Sequence, residues 1–141
     1  MADGTTEVTV ADSGDGNFVQ SVKGKTHHFL SDASVDKGGQ DKGPTPYELL
    51  LAALGSCTSI TIRMYAERKG WALDKVSVRL THKREDDMGN AVIDVITRDI
   101  TLEGNLDAEQ RARLLEIANK CPVHKTLGNN PQLLSRLEGG G

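Results

Sequence analysis

The sequence contains few aromatic residues and few cysteines. Its 141 residues include one tryptophan, two tyrosines, two phenylalanines and two cysteines. Aliphatic side chains must therefore build most of the core. The length is that of one ordinary domain, so we expect a single domain over residues 1–141, with a flexible glycine tail at about residues 139–141.

Several kinds of partner are disfavoured by features that the sequence lacks. The net charge is only −3, and no basic patch is concentrated enough to indicate a nucleic acid partner. The longest apolar run, Leu49–Leu54, is far shorter than the roughly 20 residues of a membrane-spanning helix. The first ten residues have neither the basic nor the apolar region of a signal peptide. We expect a cytoplasmic protein that does not bind membranes.

No sequence pattern indicates a cofactor or a metal. The glycine-rich patterns of nucleotide-binding loops and the CxxC pair are missing. His27 and His28 are adjacent on a predicted strand, so their side chains point to opposite faces of the sheet. Cys121 and His124 supply only two of the three or four ligands that zinc needs. We therefore expect neither a cofactor nor a metal site.

The first third of the chain has the alternation of short strands separated by turn residues. The predicted strands are Glu7–Ala11, Phe18–Val22 and Thr26–Asp32. Turns at Ser13–Asn17 and Gly24 separate them, which predicts a β-meander. A polar loop, Ala33–Gly43, follows.

A strong helix-start signal follows this loop. Thr45 is a good N-cap residue, Pro46 suits the first helical position, and Glu48 completes a capping box. Gly70 is a typical C-terminal stop. The sequence predicts a long helix over Pro46–Lys69.

The second half predicts a hairpin, a second helix, a short third helix and a last strand. Alternating apolar residues mark strands at Lys75–Lys83 and Val92–Leu102, with a turn at residues 85–90 between them. Asp107 and Gln110 mark the start of the second helix, and Pro122 disfavours helical geometry at Cys121. A last strand is predicted at Leu133–Leu137. The order βββ-α-ββ-α-(α)-β indicates an α+β fold.

Cys57 lies within the long predicted helix. Helical spacing places five residues on its face: Leu50, Leu54, Ile60, Thr61 and Met64. Such a face belongs in a core, and a free cysteine is often a small buried hydrophobe. The residues alone therefore favour a structural role for Cys57.

Cys121 has a more reactive setting. A cysteine directly before a proline at a helix start faces free backbone N–H groups and the positive end of the helix dipole, which lower the thiol pKa. His124, three residues later, is a candidate for a further positive charge. The alternative interpretation, a capping residue without reactivity, stays equally open at this point.

Two separated segments together resemble the OsmC/Ohr family. They are GPTPYELLLAALGSCTSITIRMYAERKGW (Gly43–Trp71) and IANKCPVHKTL (Ile117–Leu127). The resemblance implies an OsmC-like fold that forms an intertwined homodimer, with a long central helix and active sites at the subunit interface. It also implies that Cys57 is the peroxidatic cysteine that attacks a hydroperoxide, and that Cys121 resolves the sulfenic acid as a disulfide. An external dithiol would then reduce this disulfide.

The chain departs from the best-known peroxidase branches of this family in two charged residues. Those branches carry a glutamate ten residues before the cysteine, where this chain has Tyr47, and Glu48 stands one place later. They also use an arginine from the region before the helix, whereas the first arginine here is Arg63. The chain thus resembles a side branch of the family. Tyr47, Glu48 and His124 are its candidate supporting residues, and Lys37, Lys42 or a partner residue are possible replacements for the arginine.

Three functions remain open on the sequence. The first is a cysteine-based peroxidase that acts on organic hydroperoxides or hydrogen peroxide. The second is a non-enzymatic, dimeric protein that binds small molecules on the same scaffold. The third is a thiol–disulfide exchange protein that uses the same cysteine pair.

Overall fold

The computed structural model describes residues 4–86, 89 and 91–139. Its strands are β1 (Thr9–Asp12), β2 (Gln20–Lys23), β3 (His28–Ser31), β4 (Ala72–Asp86) and β5 (Val92–Asn105). Its helices are α1 (Pro46–Lys69), α2 (Ala108–Ala118) and α3 (Pro122–Gly128). The predicted α+β class is confirmed. The chain divides into two compact units, Met1–Leu51 and Ala52–Gly141.

The first unit contains the predicted meander. The three strands form an antiparallel sheet in the order β1-β2-β3, with Val22 opposite Val10 on one side and Phe29 on the other. Val19 and Val22 are buried. All three strands are shorter than the alternation predicted, and β2 begins only at Gln20 because the turn after β1 extends through Phe18.

Asp32 fixes the polar loop that follows β3. Its buried carboxylate accepts hydrogen bonds from the backbone N–H groups of Ala33 (2.8 Å), Gln40 (2.8 Å) and Lys42 (3.3 Å). The N–H group of Gln40 is the largest influence and lowers the pKa of Asp32. Burial opposes this shift, and the other two N–H groups and the Lys42 charge assist it, so the net pKa lies below its usual value.

We expect Asp32→Asn to lower the thermal unfolding midpoint at neutral pH by roughly 3–6 °C, because an amide satisfies three N–H donors less well. The depressed pKa of Asp32 stabilises the folded state above the unfolded-state pKa, and this contribution disappears as the pH falls through the folded-state value. The midpoints of wild type and variant should therefore converge in acid. Thermal unfolding followed by circular dichroism between pH 3 and 7 checks this, with Asp41→Asn, an exposed residue of the same loop, as the control. A difference that persists unchanged in acid would contradict the prediction.

Helix α1 begins and ends where the sequence predicted. The backbone N–H of Thr45 donates to the Glu48 carboxylate (2.9 Å), and the Glu48 N–H donates to the Thr45 hydroxyl (3.3 Å). Gly70 ends the helix with a φ of 69°, in the left-handed region that favours glycine. By length and composition alone α1 could cross a membrane, a criterion that core helices of water-soluble proteins also meet.

The second unit is built on the long β4–β5 hairpin. The strands are antiparallel, with an irregularity between Leu73 and Lys75. Its core consists of six buried residues: Ile62, Ala66, Leu73, Leu106, Leu114 and Ala118. Part of the predicted hairpin turn, at residues 87, 88 and 90, lies outside the described residues, as do residues 140 and 141 of the predicted tail.

The buried face of α1 differs from the predicted one. Its buried residues are Leu54, Gly55, Thr58, Ile62 and Ala66, most of them at a spacing of four. Leu50, Ile60 and Met64, which were predicted to share a core face with Cys57, are 37%, 50% and 61% exposed. That prediction is wrong for these three residues in the single chain, because Cys57 lies at the edge of the buried face of the helix.

Gly55 brings α1 close to the hairpin. A Cβ atom at this position would lie 2.6 Å from Cδ1 of Leu80, a contact that requires Leu80 to move. The absence of a side chain therefore sets how closely the helix approaches β4.

The C-terminal elements are confirmed in part. Asp107 and Gln110 form the predicted capping box at the start of α2, and α3 starts at Pro122 with Cys121 as its N-cap. The predicted strand at Leu133–Leu137 is wrong: these residues form no strand, and all three leucines in the range are exposed. A strand needs a neighbour for its backbone hydrogen bonds, and β4 is the only strand with which β5 pairs in the described chain.

Candidate functional site

The two cysteines meet in the second unit. Cys57 comes from the middle of α1 and Cys121 from the N-cap of α3, and the Cys57 side chain lies close enough to Cys121 to lower the pKa of that thiol. Both are free thiols. Cys121 is completely buried, whereas Cys57 is partly exposed. A reagent from solvent can therefore reach Cys57 first.

The sulfur of Cys121 lies among hydrogen-bond donors. The backbone N–H of His124 donates to it at 3.3 Å. Burial raises the pKa of Cys121, but the backbone N–H of His124, the Cys57 side chain, the Thr58 hydroxyl and the Val123 backbone N–H together outweigh burial. The net pKa of Cys121 lies below its ordinary value, because donors stabilise the thiolate more than the thiol.

Thr58 connects α1 to this sulfur. Its buried hydroxyl lies 2.7 Å from the carbonyl oxygen of Leu54 and 3.9 Å from the sulfur of Cys121. A hydroxyl carries one proton, so it can donate to only one of these acceptors at a time. The nearer carbonyl is the better acceptor when the sulfur is neutral, and a negative charge on Cys121 favours the sulfur.

Arg98 of β5 supplies the positive charge nearest this network among the contacts described. Its two terminal nitrogens donate to four acceptors: Thr58 Oγ1 (3.0 Å), the Ala118 carbonyl (3.0 Å), Asn119 Oδ1 (2.9 Å) and His124 Nδ1 (2.8 Å). Ala118 and Asn119 lie just before Cys121 in the chain, and His124 lies three residues after it. The guanidinium thus ties α1, the end of α2 and α3 together around the buried sulfur.

The contact with Arg98 determines the hydrogen-bonding role of the His124 ring. A guanidinium has donors only, so Nδ1 of His124 must accept the hydrogen bond. In this arrangement the positive charge belongs to Arg98, whereas His124 contributes its backbone N–H to Cys121 and its ring nitrogen to Arg98.

The hairpin register explains why Arg98 reaches α1. Arg98 is the cross-strand partner of Leu80, so both side chains lie on the same face of the hairpin. Leu80 packs against Gly55 on that face. The Arg98 side chain consequently meets α1 three residues further along, at Thr58.

Arg98 was missed on the sequence although a signal was present. It interrupts an alternating series of otherwise apolar residues: Ile96, Ile100 and Leu102. All four are partly buried. A charged residue on the inward face of a strand usually has a specific partner, and only the tertiary structure identifies it as the network around Cys121.

Tyr47 and Glu48 lie in the first turn of α1, within the first unit. Glu48 is engaged in the capping box with Thr45, and Tyr47 is 51% exposed. The ammonium of Lys42 donates to the carbonyl of Asp15 (2.8 Å). A supporting role of Tyr47 or Glu48 in the chemistry stays a prediction.

The described residues contain no group of three or more His, Cys, Asp or Glu side chains arranged to hold a metal ion. What the site offers chemically is a pair of thiols in contact, one of them with a lowered pKa. Such a pair can hold one proton and one negative charge between two sulfurs. It is suited to nucleophilic attack by one sulfur and to disulfide formation with the other.

The chain was compared with protein families, curated proteins and solved structures. Residues 39–134 match the family described as OsmC-like protein. No match was found among curated proteins.

Solved structures with the same fold come from several bacteria. A Psychrobacter arcticus protein described as an osmotic stress induced and detoxification response protein is 25% identical, with a TM-score of 0.71 over 88% of this chain and 89% of its own. The organic hydroperoxide resistance protein OsmC of Legionella pneumophila is 17% identical, with a TM-score of 0.69 over 93% and 94%. The organic hydroperoxide resistance protein OhrB of Bacillus subtilis is 18% identical, with a TM-score of 0.61 over 90% and 93%.

Proposed function

The chain belongs to the OsmC-like protein family, and from this membership we propose that it is a thiol-dependent peroxidase that reduces organic hydroperoxides or hydrogen peroxide. The partly exposed Cys57 beside the buried Cys121 is the observation that carries the proposal. The names of the Legionella and Bacillus proteins, which share the fold, support the same class of substrate.

The difference in exposure between the two cysteines assigns their roles. Cys57 is partly exposed and is proposed as the sulfur that attacks the peroxide. Cys121 is buried beside Cys57, so it is proposed as the sulfur that later resolves the intermediate.

The first step transfers an oxygen atom to Cys57. Cys57 loses its proton to solvent, and the Cys57 thiolate attacks the terminal oxygen of R–O–O–H. The O–O bond breaks, Cys57 becomes a sulfenic acid, and the leaving alkoxide takes a proton from solvent and departs as an alcohol.

The second step closes the disulfide. Cys121 loses its proton and attacks the sulfur of the Cys57 sulfenic acid. An S–S bond forms, and the hydroxide that leaves is protonated by solvent to water. The sulfur pair has then lost two electrons, which an external dithiol restores. The partly exposed Cys57 sulfur is the proposed point of attack for that reductant.

A homodimer is part of this proposal. Ile60 and Met64 project from α1 near Cys57 and are at least half exposed in the single chain. Apolar side chains exposed on a central helix are stabilised when a second copy covers them. A concentration-dependent mass in solution would support the dimer.

Mass spectrometry of the intact protein tests the proposed chemistry. One equivalent of an alkyl hydroperoxide, added to the reduced protein without reductant, should give a Cys57–Cys121 disulfide with the loss of two hydrogen atoms. Brief trapping with a sulfenic acid reagent should label Cys57 and not Cys121. If both thiols stay reduced after exposure to the peroxide, the proposal is wrong. Oxidation of external dithiols without any peroxide would instead assign thiol–disulfide exchange.

A further inference from the structure

We propose that Arg98 is a positioning residue of the thiol pair, which directs the Thr58 hydroxyl to Cys121 and fixes the turn that presents this sulfur to Cys57. The inference deepens the proposed function and rests on it. Arg98 touches neither sulfur in the contacts described, so it acts through the groups to which it donates.

Arg98 controls the direction of the single hydroxyl proton of Thr58. The Arg98 N–H occupies an acceptor position of the Thr58 oxygen at 3.0 Å, so that the hydroxyl proton points away from the guanidinium. The remaining acceptors are the Leu54 carbonyl and the Cys121 sulfur. A hydroxyl that accepts from a cation is also a stronger donor. Arg98 therefore strengthens the bond that Thr58 gives when Cys121 becomes a thiolate.

Arg98 also holds the backbone around Cys121 in place. Arg98 holds the Ala118 carbonyl and the Asn119 amide before the cysteine and the His124 ring after it. These contacts fix the link between α2 and α3, and with it the position of the His124 N–H that donates to the sulfur. Several bonds from one planar group orient the turn better than a single ammonium could.

The chain provides a matched control for Arg98. Arg79 lies on the other strand of the same hairpin, and its guanidinium pairs with Asp99 at 2.9 Å. Its side chain is 75% exposed, so it shares residue type and hairpin with Arg98 but not the thiol network. Among the described contacts, the charged or titratable groups that face Cys121 or its donors are Cys57 on α1, His124 on α3 and Arg98 on β5.

Ionisation of Cys121 in the Cys57→Ser protein is the direct measurement. The ultraviolet absorbance of the thiolate, followed against pH, reports one sulfur only. Arg98→Met should move the thiolate titration to higher pH, lowering the thiolate fraction roughly threefold or more on the rising part of the curve. Arg79→Met should leave the curve unchanged. Arg98→Lys keeps the charge and the aliphatic part of the side chain, so it serves as the second variant if Arg98→Met does not fold. It should shift the curve in the same direction by a smaller amount.

A double-mutant cycle with Thr58→Val separates action through Thr58 from a merely structural role. If Arg98 acts through the hydroxyl, Arg98→Met should shift the curve less in the protein that also carries Thr58→Val than in the protein that retains Thr58. Equal shifts in both backgrounds would overturn the inference, as would an unshifted curve in folded Arg98→Met or Arg98→Lys protein.

The readout separates failure of this inference from failure of the proposed function. Thiolate titration needs no peroxide, so a dependence on Arg98 can stand even if the protein consumes no hydroperoxide. Conversely, the protein could reduce hydroperoxides while the Cys121 titration is the same with and without Arg98. That result would support the proposed function and contradict the inference about Arg98.

Discussion

Cys57→Ser is expected to abolish hydroperoxide turnover, lowering kcat/KM by at least about a thousandfold. Serine keeps the size and the hydrogen bond of the side chain but cannot form a stable anion or a sulfenic acid at neutral pH. The Cys121 thiolate that remains is buried and cannot meet the substrate. Consumption of an alkyl hydroperoxide in the presence of an excess of dithiol measures the loss.

Cys121→Ser should give a different result. Cys57 still reacts with the first equivalent of peroxide, but no sulfur resolves its sulfenic acid, so excess peroxide drives Cys57 to the sulfinic acid. Mass spectrometry distinguishes this product from a disulfide. Ser56→Ala, at the exposed position next to Cys57, is the control and should keep full turnover. An active Cys57→Ser protein beside an inactive, unoxidised Cys121→Ser protein would reverse the assigned roles.

Leu114→Ala is expected to lower the free energy of unfolding by about 2–5 kcal/mol, the range for a leucine removed from a packed core. Leu114 is completely buried in the core that Ile62, Ala66 and Leu73 also form. The loss combines a smaller buried apolar area with the cavity left behind. Urea denaturation at a fixed protein concentration measures it, since dimerisation would make the midpoint depend on concentration.

The neighbouring residue provides the control for this prediction. Leu115 lies on the same helix but is 58% exposed in the chain. Leu115→Ala should cost well under about 1 kcal/mol, as most surface substitutions do. Similar losses for the two variants would mean that the core does not depend on Leu114 as the structure indicates.

Sequence reasoning succeeded where the information is local. Both ends of α1 were predicted correctly because Thr45, Glu48 and Gly70 act on backbone groups within one turn. The caps of α2 and α3 were predicted for the same reason. The meander and the hairpin followed from the period of two, although their ends shifted by several residues.

Features that depend on tertiary contacts were not predicted. Helical spacing gave the faces of α1 but not the one that the rest of the chain covers, so Ile60 and Met64 were assigned to the core wrongly. Leu133–Leu137 had the composition of a strand but no partner strand among the described residues. The contact of Cys57 with Cys121 came only from the family resemblance, and Arg98 joins residues 20 to 40 positions away along the chain.

The glycine at position 55 has a consequence for how this site tolerates mutation. Gly55 touches no sulfur and no donor of the network in the contacts described, yet any larger residue there must displace Leu80, the strand partner of Arg98. A larger residue at position 55 would therefore push on the strand position opposite Arg98. The tolerance of this glycine to mutation should depend on how far the Leu80 side chain can give way.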